Sequence, residues 1–436
     1  MDAVFDAQFR NMRVALAAQG VDVEIAYTAS GEVDYVYEVD RILILDQDDN
    51  IVDQDGNVSR VLNYLSIPER IGSDEIRRAG GIVELSIAGL PGGALTVPEA
   101  LDLIDSRERE RTGTDGPRAG ELPLASPNHL MYITRLCPAG EPEVPSGDPQ
   151  LPWPPPRPGG GQGGGAGVLI GVADTGLLQN LDTVNQYPWL SGVTGEPDLL
   201  PALTGNGEQR IPEFVGHGTF IAGVARSVAP GAGVHVADHL TLSGGVLETA
   251  FRDKLIELLA RSPAPGVLSL SAGTYTRRNQ PSVVFQRFFE DHLDGTGVKL
   301  VAAAGNDGTS REFWPAAFPW AMGVGALGPD EQHRAWFSNF GSWVNVYALG
   351  EGMVNAYATG VYTYQEPPKR PAKQAFTGMA RWDGTSYSTP LVVGLIAARM
   401  SREGESAVVA TDAVLAVADN QRIPGLGPAL RATDTP

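Results

Sequence analysis

Three side chains far apart in this sequence carry the groups of a nucleophilic hydrolase: the carboxylate of Asp174, the imidazole of His217 and the hydroxyl of Ser386. A serine hydroxyl is a poor nucleophile until a base takes its proton, and imidazole is the base best matched to neutral pH. A carboxylate behind the imidazole holds its tautomer and stabilises the imidazolium that forms. A fourth residue, Asn306, presents an amide able to donate to the oxyanion of a tetrahedral intermediate, a contact worth about 3–4 kcal/mol in the transition state. Each residue also has a plainer role: Asp174 as a turn carboxylate, His217 as a structural histidine between glycines, Asn306 as a turn residue tolerant of unusual backbone, Ser386 as a helix cap. Taken together, in the order Asp, His, Ser, they favour acyl-transfer chemistry.

The flanking sequence must place these groups. Val168 to Ala173 is a continuous apolar run, as expected for a strand covered on both faces, and it ends at Asp174-Thr175-Gly176. The carboxyl ends of strands in open parallel sheets are where sites are built. His217 lies between Gly216 and Gly218 at the start of a helix-like run, and a second buried strand ends in Ala304-Gly305-Asn306. Ser386 stands in Gly384-Thr385-Ser386-Tyr387-Ser388-Thr389-Pro390, before the apolar helix Leu391 to Ala398. Pro390 is expected in the first helical turn, where a missing N–H costs nothing. Ser386 would then sit at the helix N-terminus, where unpaired N–H groups and the positive dipole end favour negative charge.

These four stretches (D-T-G, G-H-G-T, A-A-G-N and G-T-S-x-S-T-P) resemble the signatures of the subtilase family of serine peptidases, over about residues 167 to 420. The resemblance implies an α/β fold: a subtilisin-like, doubly wound, mostly parallel sheet. It also implies a serine endopeptidase working through an acyl-enzyme, with Asp174, His217 and Ser386 as catalytic triad and Asn306 in the oxyanion hole. It makes Ser271, Ala272 and Gly273 one wall of the first specificity pocket, Ala304 and Gly305 part of the other, and Ser243, Gly244 and Gly245 the edge that pairs with a substrate strand. Phe313 falls at the pocket floor, where a ring favours a smaller substrate side chain. Phe220 replaces a histidine common in the family, and the helix after His217 lacks the inserted loop that builds a Ca²⁺ site in many relatives, so no ion is expected there. An inactive subtilase fold kept for binding would lack a triad member, and none is lacking.

Composition narrows the classes further. At 436 residues, two domains are expected. The net charge of −20, without a basic patch, argues against nucleic acid as a partner. Cys137 is the only cysteine, which excludes an internal disulfide or a cysteine zinc site. No cofactor is expected, and the partner is a protein or peptide substrate. No secretory signal or membrane-spanning run is visible, so a cytoplasmic protein is the expectation. The acidic turn with Asp46, Asp48, Asp49, Asp53 and Asp55 does not match a Ca²⁺ loop and is expected to be a solvated turn.

Residues 1–137 alternate strand-like and helix-like segments: a helix over 2–19, a strand from Val33 to Leu45, a helix from Val58 to Leu65, a strand from Gly81 to Ala88, a helix from Pro98 to Arg109 and a strand from His129 to Thr134. That order predicts a small α+β domain of ferredoxin-like type. Residues 138–166, with Pro152 to Pro158 and Gly159 to Gly165, predict a tether open to solvent and easily cut. Residues 167–436 form the peptidase domain. The N-terminal domain then either caps the cleft as an intramolecular inhibitor until the tether is cut, or serves as a permanent sensing or docking domain.

Overall fold

The apolar runs ending at Asp174 and Asn306 become strands of one parallel sheet, and helices cover both of its faces, which is why neither run alternates. The computed structural model describes residues 3–45, 56–67, 76–88, 95–113, 121–133, 140–146, 151–158, 164–198, 200, 203–205, 207–241, 243–366 and 368–435. In chain order the N-terminal part holds α1 (Ala3–Ala17), β1 (Val23–Tyr27), β2 (Val33–Leu45), α2 (Asn57–Tyr64), β3 (Ile76–Ala79), β4 (Ile82–Ser86), α3 (Val97–Thr112) and β5 (Ala125–Ile133). The second part begins with β6 (Leu169–Asp174), β7 (Leu177–Leu178), β8 (Thr194–Gly195), β9 (Pro197–Asp198), β10 (Arg210–Ile211), α4 (His217–Val228), β11 (Gly233–Asp238), β12 (Gly245–Leu247), α5 (Glu248–Leu259), β13 (Val267–Leu270) and β14 (Ala272–Gly273). It continues with α6 (Val283–Phe288), β15 (Lys299–Ala303), β16 (Met322–Leu327), β17 (Val346–Leu349), β18 (Met353–Thr363), β19 (Lys373–Trp382), α7 (Thr385–Glu403), α8 (Ala407–Asn420) and β20 (Ala429–Leu430).

The large sheet runs β20-β17-β16-β15-β13-β6-β11-β8, every pair parallel. Ile170, Val172, Val301 and Val324 face the core shared with α4, α7 and α8. Ala173, Leu268, Leu270 and Leu300 face α5 and α6. This is the doubly wound layering expected for the second part.

The N-terminal sheet has the order β5-β2-β4-β3, all antiparallel, with β1 added to β2. Read as β-α-β-β-α-β, that is the ferredoxin-like arrangement. Its two faces have different partners. Ile42, Ile44, Val83 and Leu85 pack under α2 and α3. Leu43, Leu45 and Ile82 pack instead on Val283 and Val284 of α6. Helix α3 begins at a Thr96–Glu99 capping box and ends at Gly113 in the left-handed conformation.

The stretch expected to be an open tether differs in its described portions. Gly140, Glu141, Pro142, Pro152 and Pro154 are buried. Glu143 and Trp153 bridge the long β18–β19 ribbon at Arg381 and Val354, with paired bonds of 2.7 and 2.8 Å at Arg381 and of 2.8 and 3.0 Å at Val354. Glu141 accepts from the N–H of Gln365 at 2.6 Å and the hydroxyl of Tyr362 at 3.2 Å. Proline lacks the donor but leaves its neighbours free to pair at a sheet edge, so this composition does not enforce exposure. Residues 147–150 and 159–163, the acidic turn and Cys137 lie outside the described residues. Among the described residues, no helix is long and apolar enough to cross a membrane.

Candidate active site

The turn after β6 and the start of α4 meet because glycine lets them. A Cβ on Gly218 would stand 2.5 Å from the Gly176 carbonyl oxygen and 3.3 Å from the Asp174 Cβ. Gly216, the residue before the helix, has φ of 90°, a conformation glycine adopts without strain. The outcome is a bond of 2.7 Å between His217 Nδ1 and Asp174 Oδ1, with His217 2% exposed and Asp174 fully buried. The Thr175 N–H also donates to Asp174 Oδ1, at 2.9 Å. With Nδ1–H committed to the carboxylate, Nε2 is the nitrogen left to act as base. The imidazole ring is fixed by Trp382 and Tyr387, with centroids 5.4 and 5.5 Å away. Phe220, in the place of the family's frequent histidine, packs on the same Tyr387 at 4.6 Å.

Tyr387 and its neighbour Ser386 lie in the first turn of α7, so the ring contact brings that turn beside His217. Asn306 is tied to the same turn. Its Oδ1 accepts from the Thr385 N–H at 2.9 Å and the Thr385 hydroxyl at 2.8 Å. The amide oxygen is thereby turned to the helix, and Nδ2 faces Gly384, 3.4 Å from where a Cβ there would stand. Pro390 is not in the first turn; it is the sixth residue of α7. A residue there would normally donate to the carbonyl four positions back, which is that of Ser386. Proline cannot, and the Ser271 hydroxyl donates to that carbonyl instead, at 3.0 Å. The missing bond is replaced by one from the loop between β13 and β14.

The subtilase family profile matches residues 165–419. The chain belongs to the subtilase family. A thermophilic serine proteinase of Bacillus sp. (strain AK1) is 29% identical over 48% of this chain and 48% of its own length. The subtilisin-like protease PopC of Myxococcus xanthus is 30% identical over 53% of this chain and 51% of its own. Subtilisin Savinase of Lederbergia lenta is 29% identical over 53% and 76%. The chain thus spans about half the length of the first two relatives. The structure of fervidolysin from Fervidobacterium pennivorans, a keratinolytic enzyme related to subtilisin, matches with a TM-score of 0.54 at 18% identity, over 91% of this chain and 60% of that one. That likeness is one of fold.

In this subtilase β12 and β14, the latter directly after Ser271, whose hydroxyl reaches the Ser386 carbonyl, both pair with a strand of the N-terminal part. Strand β5 runs antiparallel to β12 on one side and to β14 on the other, pairing Tyr132 with both Gly245 and Gly273. The Ile133 N–H donates to the Gly244 carbonyl at 2.9 Å. Ser243 is buried and within 2.8 Å of the Thr241 hydroxyl. Gly273 and Gly305 both face Phe313: a Cβ on Gly273 would meet its ring at 2.3 Å, and one on Gly305 at 3.4 Å. Ala304 is fully buried beside them. Phe313 therefore lies between the two walls named from the sequence.

Several residues of the site carried no motif. Trp382 directly precedes Asp383-Gly384 and braces His217, and its indole N–H donates to the Gly140 carbonyl. Gln8 of α1 donates to the Ile133 carbonyl at 3.2 Å, far from it in sequence. A buried aromatic beside a signature is the only hint the sequence offers for the first; for the second there is none. Among the described residues no group of three His, Cys, Asp or Glu side chains is placed to hold a metal ion.

Proposed function

We propose that this chain is a serine endopeptidase in which Ser386 attacks the peptide carbonyl, His217 takes its proton and returns it to the leaving amine, and Asp174 orients the imidazole. Asn306 Nδ2 and the Ser386 N–H would hold the oxyanion. The observation that carries this reading is the buried 2.7 Å Asp174–His217 pair set beside the first turn of α7. A fluorophosphonate probe tests it on material freed of its N-terminal unit. Labelling at Ser386, absent in Ser386→Ala, is expected; wild-type protein that takes no label refutes it.

The N-terminal unit acts in this proposal as an intramolecular inhibitor. Support comes from β5, which fills the groove between β12 and β14 as a substrate strand would. Met131 and Ile133 share an apolar cluster with Leu240, Val246 and Ala272, and Ser386 is only 2% exposed. Ile133 pairs with Ala272, next to the Ser271 whose hydroxyl reaches the Ser386 carbonyl, so self-cleavage is expected between residues 134 and 140. Two fragments from wild type, one band from Ser386→Ala and a new N-terminus in that window are the expected result. The rival reading, a permanently docked unit, is favoured if wild type stays intact and the full chain is as active as the isolated peptidase part.

A further inference from the structure

We infer that Asp198 is a positioning residue for the Asp174–His217 pair, joining through one carboxylate oxygen the turn that carries Asp174 and the loop that carries His217. The inference rests on the peptidase reading and adds a residue to it. Asp198 Oδ2 accepts from the Thr175 hydroxyl at 3.1 Å and from the Gly216 N–H at 2.7 Å. Thr175 directly follows Asp174, and its N–H holds Asp174 Oδ1. Gly216 directly precedes His217. The same Thr175 hydroxyl accepts from the Gly218 N–H at 3.2 Å, closing the link from the far side of His217. Strand β9, which ends at Asp198, is itself paired to β7 just past the Asp174 turn, so the carboxyl is held on a short ladder rather than on a mobile loop.

Among the described residues, no cation acts on this carboxyl. Asp198 is 4% exposed, and among the described residues its Oδ1 has no partner, as is true of Asp174 Oδ2. Asp174, Asp238 and Tyr357 are the titratable groups that face it. Burial pushes its carboxyl up to about 7, against the two bonds it accepts, and the negative charge of Asp174 adds to the rise. A proton on Oδ1 leaves both bonds to Oδ2 in place. The bridge therefore survives protonation, and asparagine, whose amide oxygen can accept both bonds, is its closest substitute.

The test compares Asp198→Ala, Asp198→Asn and Thr175→Val in kcat and KM on a peptide substrate. It also follows the low-field Nδ1–H proton resonance of His217 in the intact Ser386→Ala protein. For Asp198→Ala, kcat should fall at least about tenfold with KM within about twofold, as when an interaction realised in the transition state is lost. Asp198→Asn should recover most of that loss, and the His217 resonance should shift or broaden in the alanine variant and not in the asparagine one. Wild-type kcat in Asp198→Ala, or a loss of kcat with the resonance unmoved, overturns the inference. If the alanine variant does not fold, Thr175→Val, which removes one hydroxyl from the link, must lower kcat and move the resonance; no change in either overturns it as well. A wild-type enzyme freed of its N-terminal unit and still without turnover sinks the peptidase reading, and the resonance then decides on Asp198 by itself.

Discussion

At the scale of single residues, the site depends on where an amide and a ring point. The Asn306 amide oxygen accepts from Thr385, which turns the nitrogen toward Gly384, on the side where the proposed oxyanion would form. Asn306→Leu is expected to lower kcat about 100-fold to 1,000-fold with little change in KM, measured on a peptide substrate. A purely structural Asn306 would instead show as a loss of folded protein. Phe313 fills the space between Gly273 and Gly305, and the pocket should accept small side chains before the cut bond. Phe313→Gly is expected to raise kcat/KM for an aromatic residue there relative to alanine by about tenfold or more. A peptide-library profile already dominated by aromatics in the wild type would refute that view of the pocket. The residues with unusual backbone or close neighbours were legible in the sequence, because only glycine and small side chains meet those demands, and they recur as short local patterns. Asp198, Trp382 and Gln8 were not legible. Each works by convergence from elsewhere in the chain, and none differs in its local sequence from an ordinary surface or core residue.

At the scale of elements, α7 is organised by a proline inside it. Pro390 has no N–H to donate to the Ser386 carbonyl, and the Ser271 hydroxyl donates to it instead. Ser271→Ala is expected to cost about 1 kcal/mol, the usual worth of one such bond, read as unfolding free energy of the intact Ser386→Ala protein. In a Pro390→Ala background the restored N–H can reach the carbonyl, and the cost of Ser271→Ala should shrink by at least half. Equal costs in the two backgrounds would show that the two residues do not share the carbonyl. The ferredoxin-like elements with clear periodicity, β2, α2, β4 and α3, match the segments read from the sequence within a few residues. Strands β1 and β3 were not anticipated: β3 is Ile-Arg-Arg-Ala with three exposed residues at the sheet edge, so it carries no alternation to read. The Pro-rich stretch looked like a tether because composition reports what a segment lacks for a core of its own. It says nothing about main-chain groups that pair with the β18–β19 ribbon. This docking also means that a cut before Gly140 should leave residues 140–157 attached to the peptidase part.

At the scale of the whole molecule, the two units are joined by β5 and by a polar seam. In that seam the His129 imidazole meets Glu248 at 2.8 Å, fully within the interface, and Arg277 meets Asp105 at 2.7 Å. No local pattern announces such pairings, since the partners lie more than a hundred residues apart and their codes are those of any polar surface. The same interface contains a group whose protonation should set the strength of docking. Glu213, three residues before Gly216, accepts from Asn11 of α1 at 3.2 Å. Burial raises its carboxyl from an ordinary value of 4.5 to about 7, with the Asn11 bond pulling downward and the charge of Glu141 adding upward. With α1 supplying that shielding, a detached carboxyl would regain water and return toward its ordinary value. The docked state therefore holds a proton that the detached state releases between those limits, so the contribution to docking is complete at acid pH and is lost as pH rises through about 7. After self-cleavage, the release rate of the N-terminal unit, followed as recovered peptidase activity, is expected to increase from pH 5 to pH 8. Glu213→Gln, which stays neutral throughout, should flatten that dependence while retaining the Asn11 contact through its amide oxygen. A slope that persists unchanged in Glu213→Gln assigns the pH response to another group and removes Glu213 from the account.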